Sequence, residues 1–375
     1  MDATSSQATA AATIPSRREL VAQLMRHAKP DTPRALMHFL VDVATYVAGF
    51  AVVLFAPSIW LKLLGSIMIA AGMGRLFSFA HNAAHENLAR SRRLNRVLAL
   101  LAFTPIFYNY RLWCYEHHSL HHPYCNDTKP DAYRPFSKDE FDALPSWRQW
   151  LERLYRGPYV VGWSIYYLKE RHWQTKIRVP TYVPRKLRGA AWLNTAWVAA
   201  YAVMLVAFLL HAPAIANDLT ATGALMLGVV IPLLLFDGAD GFTLYVQHTD
   251  PRIPWFKEEN IDREGPGRTE LISVHLEVPR LIGWFAHETY SHPVHHLVPG
   301  IPFFNAHAAQ LELNRLLGPA AVVRKANLAW LRDTTRRCKL YDWDRKQWLG
   351  FDGSPTCPAH EWPRSPIGLA QATDS

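Results

Sequence analysis

Cysteine is scarce in this chain, and its few positions exclude several kinds of site. The 375 residues contain four cysteines, and no two of them form a CxxC pair. Zinc knuckles and thioredoxin-like redox sites both need such pairs, so the sequence predicts neither. A disulfide framework is typical of short secreted chains rather than of one this long. We therefore expect reduced thiols on the cytosolic side of the cell.

A glycine-rich dinucleotide fingerprint is also missing, so the chain is not expected to bind a nicotinamide or flavin cofactor of its own. Acidic residues are fewer than basic ones, 31 against 40, which leaves a formal net charge of +9. Such an excess is typical of proteins that bind nucleic acid or an anionic membrane surface. The positions of the basic residues decide between these two classes.

Long apolar runs are abundant, since 50% of the residues are hydrophobic. Four segments reach the ~20 residues that a helix needs to cross a bilayer core. They lie at about 36–56, 59–80, 191–212 and 222–246. Buried helices of a soluble protein are the alternative, but four such segments in two close pairs favour a membrane protein. The sequence therefore predicts an all-α integral membrane protein whose four transmembrane helices form two hairpins.

Charge gives the orientation of these spans. The loop at 81–189 holds 18 Lys and Arg residues, whereas the link at 213–221 holds none. Loops rich in these residues stay in the cytosol. We therefore expect the active site, both termini and the 81–189 loop on the cytosolic side of an inner, or cytoplasmic, membrane. The basic excess then faces that membrane, and no nucleic acid partner is expected.

These boundaries divide the chain into three parts. Residues 1–35 form an N-terminal cytosolic segment, and its first ~15 residues are expected to be disordered. Residues 36–310 form the membrane domain. Residues 311–375 form a C-terminal cytosolic cap and tail, with the tail expected from about 353. The loop and the C-terminal part together are expected to make a helical cap on the cytosolic side.

Histidines gather in three clusters near the cytosolic ends of the spans. The clusters read HNAAH at 81–85, HHSLHH at 117–122 and HETYSHPVHH at 287–296, and His248 follows the fourth span. Histidines at positions i, i+3 and i+4 lie on one face of a helix. Each cluster therefore offers two or three imidazoles to one point, and neutral imidazole is a good ligand for iron, copper, zinc and nickel.

The number of histidines indicates the kind of metal site. A catalytic zinc needs three protein ligands, and the clusters with His248 offer too many imidazoles for one such ion. They suit two ions that share one site. An all-histidine set without thiolates fits iron in oxygen chemistry. At the face of a membrane, the expected substrate is a lipid or hydrocarbon chain.

Three longer stretches around the clusters carry a resemblance to a known family. They are HNAAHENLARSRRLNRVLALLAFTPIFYNYRLW, YVQHTDPRIPWF and HETYSHPVHHLVPGIPFFNA. Together they resemble the membrane di-iron fatty-acid desaturase and hydroxylase superfamily, most closely its acyl-lipid omega-6/delta-12-type desaturases. The resemblance covers roughly residues 36–310. Asn82 and Ala84 stand where the delta-12 type often has Asp and Gly, which leaves the substrate class open.

The resemblance implies a set of metal ligands. In the second cluster His117 and His118 compete for the first position, and the H-x-x-H-H spacing favours His118. His287 is the member of the third cluster least expected to bind metal, because it lies five residues before His292. The implied ligands of two iron ions are His81, His85, His118, His121, His122, His248, His292, His295 and His296.

Other residues are predicted to lie near the metals without binding them. Asp237 and Asp240 are candidates for carboxylates that orient ligating imidazoles, although charges at a helix end or interface are the alternative. Asn305 is expected near the site. His172 is not expected to be a ligand, because it has no partner at helical spacing.

The resemblance also implies an activity, in which O2 and a di-iron site introduce a cis double bond into a fatty acyl chain. The alternative is a hydroxylase or related oxygenase of the same superfamily that acts on an alkyl chain, a carotenoid or a lipid head group. A metal-binding receptor or a transporter is a third interpretation, but a transporter carries its ligands within the spans. A separate electron donor of the ferredoxin or cytochrome type is expected, since no site for one is apparent in the chain.

Overall fold

The computed structural model describes residues 14–127, 131–216, 219–257 and 268–360, and it is mostly helical. The disorder predicted for the first ~15 residues falls almost wholly outside these ranges. The helices are α1 (Arg17–Leu24), α2 (Thr32–Phe55), α3 (Ile59–Ala84), α4 (Arg92–Phe103), α5 (Tyr110–Glu116), α6 (His122–Tyr124), α7 (Lys138–Asp142), α8 (Ser146–Tyr155), α9 (Val160–Tyr166), α10 (Arg185–Leu210), α11 (Ala221–Leu225), α12 (Ile231–His248), α13 (Arg280–Phe285), α14 (His292–Leu297), α15 (Phe303–Leu317) and α16 (Leu328–Arg337). Segments His117–His121, Tyr167–Ile177 and Met226–Val230 are π-helical.

Within the described ranges, four helical stretches are long and apolar enough to cross a membrane, and they lie where the sequence predicts spans. They are Thr32–Phe55, Ile59–Ala84, Arg185–Ala214 and Ala221–His248. Only 17% of the apolar window of Arg185–Ala214 is buried in the protein, against 61% for Ile59–Ala84. Because this apolar helix leaves most of its surface uncovered by protein, it has the character of a lipid-facing helix.

Side chains in the first turns fix where α2 and α3 begin. The carboxylate of Asp31 accepts a hydrogen bond from the Arg34 amide at 3.1 Å. The hydroxyl of Ser58 accepts one from the Leu61 amide at 3.3 Å. Such caps satisfy amides that a helix leaves without a partner in its own backbone. The two helices are therefore separated only by residues 56–58.

Glycines let α2 and α3 approach each other closely. A Cβ atom on Gly49 would lie 2.7 Å from the backbone nitrogen of Ile69, and one on Gly72 would lie 2.7 Å from the Cα of Tyr46. Any larger residue at either position would therefore push the two helices apart. Close helix contacts through small residues are a usual device in membrane bundles.

Polar residues inside the predicted spans have partners within the protein. Asp42 of α2 accepts a hydrogen bond from Arg75 of α3 at 2.6 Å, and both are buried. Lys62 donates to the carbonyl of Val53 at 3.0 Å, at the last turn of α2. Since unpaired charges are costly in a bilayer, this pairing explains how apolar helices tolerate these residues.

The second histidine cluster is positioned by a sharp bend. The chain bends by 104° between the helical stretches Arg92–Ile106 and Tyr110–Tyr124. At the bend, Phe107 has a left-handed backbone with φ 58°. The side chain of Asn109 then accepts hydrogen bonds from two amides of the first turn of α5. This turn sends α5 and the following π-helical segment back toward the end of α3.

The part of the chain that the structure describes is mostly helical, as predicted, but it also contains four short strands. Strands β1 (His275–Glu277) and β2 (Val323–Lys325) pair in parallel, with His275 opposite Val323. Strands β3 (Leu340–Asp342) and β4 (Gln347–Leu349) pair antiparallel. Each has three residues, too few for an alternating pattern to be recognised in the sequence.

The first residues of the tail predicted from about 353 have contacts with the rest of the protein. Thr356 donates a hydrogen bond to the Trp348 carbonyl at 3.0 Å from its amide, and His360 contacts the Pro251 carbonyl at 2.9 Å. Residues 353–360 thus pack against the body of the protein. The remainder of the predicted tail, 361–375, lies outside the described residues.

Candidate metal centre

The first group of imidazoles joins all three clusters. It consists of His81, His85, His117 and His295, and one ring nitrogen from each lies within 4.8 Å of the others. His81 is in the last turn of α3 and His85 follows directly, while His295 is in α14. All four are half-buried. The end of one apolar span and the third cluster therefore meet at one point.

The second group consists of His121, His248, His292 and His296, within the same limit of 4.8 Å. His248 is the last residue of α12, and His292 and His296 lie one turn apart in α14. Three of these four residues are buried. The rings of His117 and His121 are 5.3 Å apart, so the two groups are neighbours.

The nitrogen spacing within the groups suits a bound ion. The Nε2 atoms of His81 and His295 are 2.9 Å apart, and those of His248 and His292 are 2.8 Å apart. Neighbouring ligands at metal–nitrogen distances of about 2.1 Å lie roughly 3 Å from each other. A hydrogen bond between two imidazoles has a similar length. The observed nitrogen–nitrogen distances therefore fit both a pair of metal ligands and a hydrogen-bonded pair.

The second cluster forms a π-helical turn rather than the α-helix on which the H-x-x-H-H argument depends. The amide of His122 donates to the carbonyl of His117, five residues back. Residues five apart then share a face, and their Nε2 atoms are 3.0 Å apart. The structure thus places His117 in the first group, where the spacing favours His118.

His118 and His122 lie beside the two groups rather than in them. The Nε2 atom of His118 is buried and has no hydrogen-bond partner among the described residues, and its ring is 4.4 Å from that of His85. The His122 ring is 4.9 Å from that of His295 and 4.7 Å from that of His296. His118 therefore faces the first group, and His122 lies between the two.

Asp131 is a carboxylate at the site that sequence reasoning missed. Its Oδ1 atom lies 3.0 Å from Nδ1 of His121 and also accepts a hydrogen bond from the Ala132 amide. Burial raises the pKa of this carboxyl, but His121 and these hydrogen bonds outweigh it, so the pKa lies below its usual range. A carboxylate in this position orients an imidazole toward a metal.

The two aspartates predicted for that role have other partners. Asp237 contacts Nδ1 of His172 at 3.0 Å, and His172 belongs to neither group. Asp240 accepts a hydrogen bond from the Tyr108 hydroxyl at 3.2 Å. Neither aspartate therefore orients an imidazole of the two groups. The amide of Asn305, which was expected near the site, donates to the His27 carbonyl at 3.0 Å.

His287 lies apart from both groups. Its Nε2 atom is 2.7 Å from Oδ2 of Asp42, and the side chain is fully buried. Its ring packs 4.1 Å from that of Phe303. The one histidine of the third cluster that was not expected to bind metal thus faces α2.

Burial keeps the imidazoles of the third cluster neutral. It lowers the pKa of His292, His295 and His296 well below the usual value, and neighbouring imidazoles lower it further. The pKa of His85 is lowered for the same reasons. Neutral imidazole is the form that binds a metal, so no proton has to leave first at neutral pH.

A small cavity of about 70 Å³ lies beside the two groups. Its lining includes histidines of both groups, the aromatic side chains of Phe77, Trp113 and Tyr167, and charged side chains such as those of Lys176 and Asp240. A cleft of about 660 Å³ lies outside it. The cleft and the cavity share four lining residues, Glu116, His121, Asp131 and Arg171. These side chains therefore separate the site from the cleft.

Comparisons with known proteins agree with this geometry. The family model described as fatty acid desaturase matches residues 57–326. That range includes all members of both histidine groups.

Three curated relatives cover most of the chain. A chloroplastic omega-6 fatty acid desaturase of Spinacia oleracea is 28% identical over 308 residues, which are 81% of this chain and 65% of that protein. An sn-1 oleoyl-lipid 12-desaturase of a Picosynechococcus species is 25% identical over 82% of this chain and 85% of its own length. A fatty acid desaturase of Bacillus subtilis is 24% identical, over 93% of this chain and 95% of its own length.

Proposed function

Because the chain belongs to the fatty acid desaturase family, an oxidoreductase family of fatty acid metabolism, we propose that it introduces a cis double bond into a fatty acyl chain with O2 and two iron ions. The observation that carries this proposal is the pair of four-imidazole groups side by side at the ends of apolar helices. Similarity to proteins named as omega-6 and 12-desaturases supports the same activity.

The residues present fit two iron ions. Both groups contain imidazoles only, which suits iron that reacts with oxygen. In the first group, Nε2 of His85 is buried without a hydrogen-bond partner among the described residues, and a metal would satisfy it. We propose that these two groups hold the ions, with His118 and His122 as further ligands. Bound iron would activate O2 so that it removes hydrogen from an unactivated methylene.

The protein's own contribution is to place the chain and to exclude water. Phe77, Trp113 and Tyr167 form the aromatic part of the wall of the small cavity, and histidines of both groups line it as well. An acyl chain along this wall would have its methylenes next to both groups. Holding reactants in position accounts for much of enzyme catalysis. Overall, two hydrogens leave the acyl chain while two electrons and two protons from outside complete the reduction of O2 to water.

We further propose that the acyl chain is part of a membrane lipid, as the name of the Picosynechococcus relative states for that protein. The large cleft next to the site has room for a polar head, and Arg171 and Arg178 line it. The third span leaves most of its surface uncovered. A lipid would reach the site from the bilayer along such a surface without a soluble carrier.

The electrons are proposed to come from a soluble carrier of the ferredoxin or cytochrome type. A relative from a Nostoc species is named as ferredoxin-dependent. The net charge of this chain is +9, and a basic surface attracts an acidic carrier.

We propose that α2 with α3, and α10 with α12, form two membrane hairpins whose histidine ends face the cytosol. His81 and His248 lie at the ends of α3 and α12, and they belong to neighbouring groups. These two ends must therefore lie on one side. The 18 basic residues of 81–189 favour the cytosol for that side, and the cap would then consist of this loop and the C-terminal part.

Expression in a host with a simple lipid profile tests the activity. Analysis of the fatty acids of its membranes is expected to show new cis double bonds with the wild-type chain and none with His295→Ala. Hydroxylated chains without new unsaturation would instead assign the chain to the hydroxylases. Unchanged lipids in a host that supplies an electron donor and iron would refute both activities.

A further inference from the structure

A buried charged network lies directly behind the third histidine cluster. Oδ2 of Asp42 contacts Nε2 of His287 at 2.7 Å, and Oδ1 accepts from Nε of Arg75 at 2.6 Å. Arg75 also donates to the carbonyl of Phe285 at 2.6 Å. The three charged or titratable side chains are at most 2% exposed. Charged groups inside a membrane helix are costly and usually functional.

The backbone at this point is held in an unfavourable conformation. His287 and Glu288 have φ of 49° and 54°, which is the left-handed region. Residues other than glycine rarely adopt this region, and here two of them follow each other. The His287 side chain contacts α2 from this strained backbone, and such strain concentrates at functional sites.

A cavity separates His287 from the metal centre. It holds about 20 Å³, which is room for one water molecule. Its lining includes His287, Ser78 and Asn82, together with His81, His292 and His295 of the two groups. The Nδ1 atom of His287 is buried and has no hydrogen-bond partner among the described residues. A water in the cavity would satisfy that nitrogen and reach the metal ligands.

The same cavity has a connection to the surface. Glu288 lines it and lies 3.7 Å from Nδ1 of His307. The side chain of Glu288 is 9% exposed and that of His307 is 37% exposed. Glu288 also pairs with Arg280, which is on the surface. Glu288 and His307 therefore lie between this cavity and bulk water.

We propose that Asp42 and His287 form a proton relay, which supplies the metal centre through one water behind the third cluster and is refilled through Glu288 and His307. This inference rests on the proposed desaturase function, because that reaction consumes two protons for each double bond. In this proposal His287 and Asp42 do not bind metal. They are positioning residues that act on the metal centre through the water.

The chemistry of the pair suits this role. The carboxylate of Asp42 accepts from Nε2–H of His287, which leaves a lone pair on Nδ1. Nδ1 then takes a proton from the cavity, and Asp42 stabilises the resulting cation. Asp42 and Glu288 favour that cation, whereas Arg75 and His38 oppose it. Burial lowers the pKa of His287, so the proton is released again readily.

The test compares wild type with His287→Gln, which keeps a donor to Asp42 and removes the titratable ring. The matched control is His172→Gln, because His172 is buried against Asp237 at 3.0 Å but does not line the cavity. Iron content should equal wild type in both variants. The His287 variant should turn over roughly tenfold or more slowly, in line with lost proton transfer, with more peroxide released per O2 and a larger solvent deuterium isotope effect.

Proton uptake on chemical reduction of the iron-loaded protein needs no substrate. It should be lower in His287→Gln than in wild type and in the control. If wild type makes no double bond but shows this difference, the proposed function fails and the relay stands. Equal proton uptake, equal peroxide yield and an equal isotope effect at full iron content would overturn the relay. Loss of iron in the His287 variant would also overturn it, by showing that His287 supports a ligand.

Discussion

The two imidazole groups differ in what surrounds them. In the second group, Asp131 lies behind His121, and three of the four histidines are buried. In the first group all four are half-buried, and among the described residues none has a carboxylate partner. The difference predicts that the second group holds its ion in a more rigid site. It also predicts that the first group is the more open of the two to exchange its ion.

Removing one ligand is expected to have the largest effect on this pair. His292→Ala removes a buried imidazole from the second group, and His295→Ala removes one from the first. Each variant should lose at least the ion of its own group and form no detectable product. Mass spectrometry of iron per chain and lipid analysis measure both. The control is His211→Ala, because His211 is an exposed histidine at the C-terminal end of α10. This variant should keep both ions, and an equal loss of iron in it would contradict the assignment of His292 and His295 as ligands.

A second comparison separates His117 from its neighbour. His117→Ala should abolish iron binding in the first group, because its ring nitrogen lies within that group. His118→Ala should weaken binding only in part, since the ring lies beside His85 without belonging to the group. Iron titration of the two purified variants measures this order. The opposite order would restore the spacing argument that favours His118.

Asp131 tests whether the carboxylate accounts for the contrast between the groups. Asp131→Asn should weaken iron binding in the second group by roughly 10- to 100-fold, as loss of such a partner usually does, and should spare the first group. Asp237→Asn is the control, because the histidine that Asp237 contacts, His172, lies outside both groups. Comparable iron loss in the two variants would show that buried charge in general, and not the contact with His121, supports the site.

The smallest effect is expected from pH. Burial lowers the pKa of His85, His292, His295 and His296 in the folded chain, whereas an unfolded histidine titrates near 6.5. Below about 6.5 the unfolded chain therefore binds more protons, so the stability of the metal-free protein falls as pH decreases. Its unfolding temperature should be lower at pH 5.5 than at pH 7.5. The difference in unfolding temperature between the two pH values should be smaller in His292→Gln than in wild type. An equal difference in the two proteins would contradict the assignment of this pH effect to His292.

Much of the fold could be predicted from the sequence because membrane helices carry their signal in a long local pattern. The four apolar helices lie at the predicted positions. The strands were missed because β1 pairs with β2 nearly 50 residues later, and each is too short to show alternation.

The site shows where local patterns stop being informative. The α-helical spacing favours His118 as a ligand. The chain forms a π-helical turn there, so that His117 and His122, five residues apart, share a face. Asp131 stands in a loop with no fixed spacing to His121, so only the folded structure brings them together. Asp42 and Arg75 are 33 residues apart, and in the sequence each is a charged residue within a different apolar span. In the folded protein their side chains form a hydrogen bond of 2.6 Å.

Anomalous X-ray scattering at the iron edge from crystals of the iron-loaded protein tests the central claim most directly. Two peaks are predicted, one within reach of His81, His85, His117 and His295, and the other within reach of His121, His248, His292 and His296. A single peak, or peaks away from these two sets of nitrogens, would contradict the assignment of the two groups as a di-iron site.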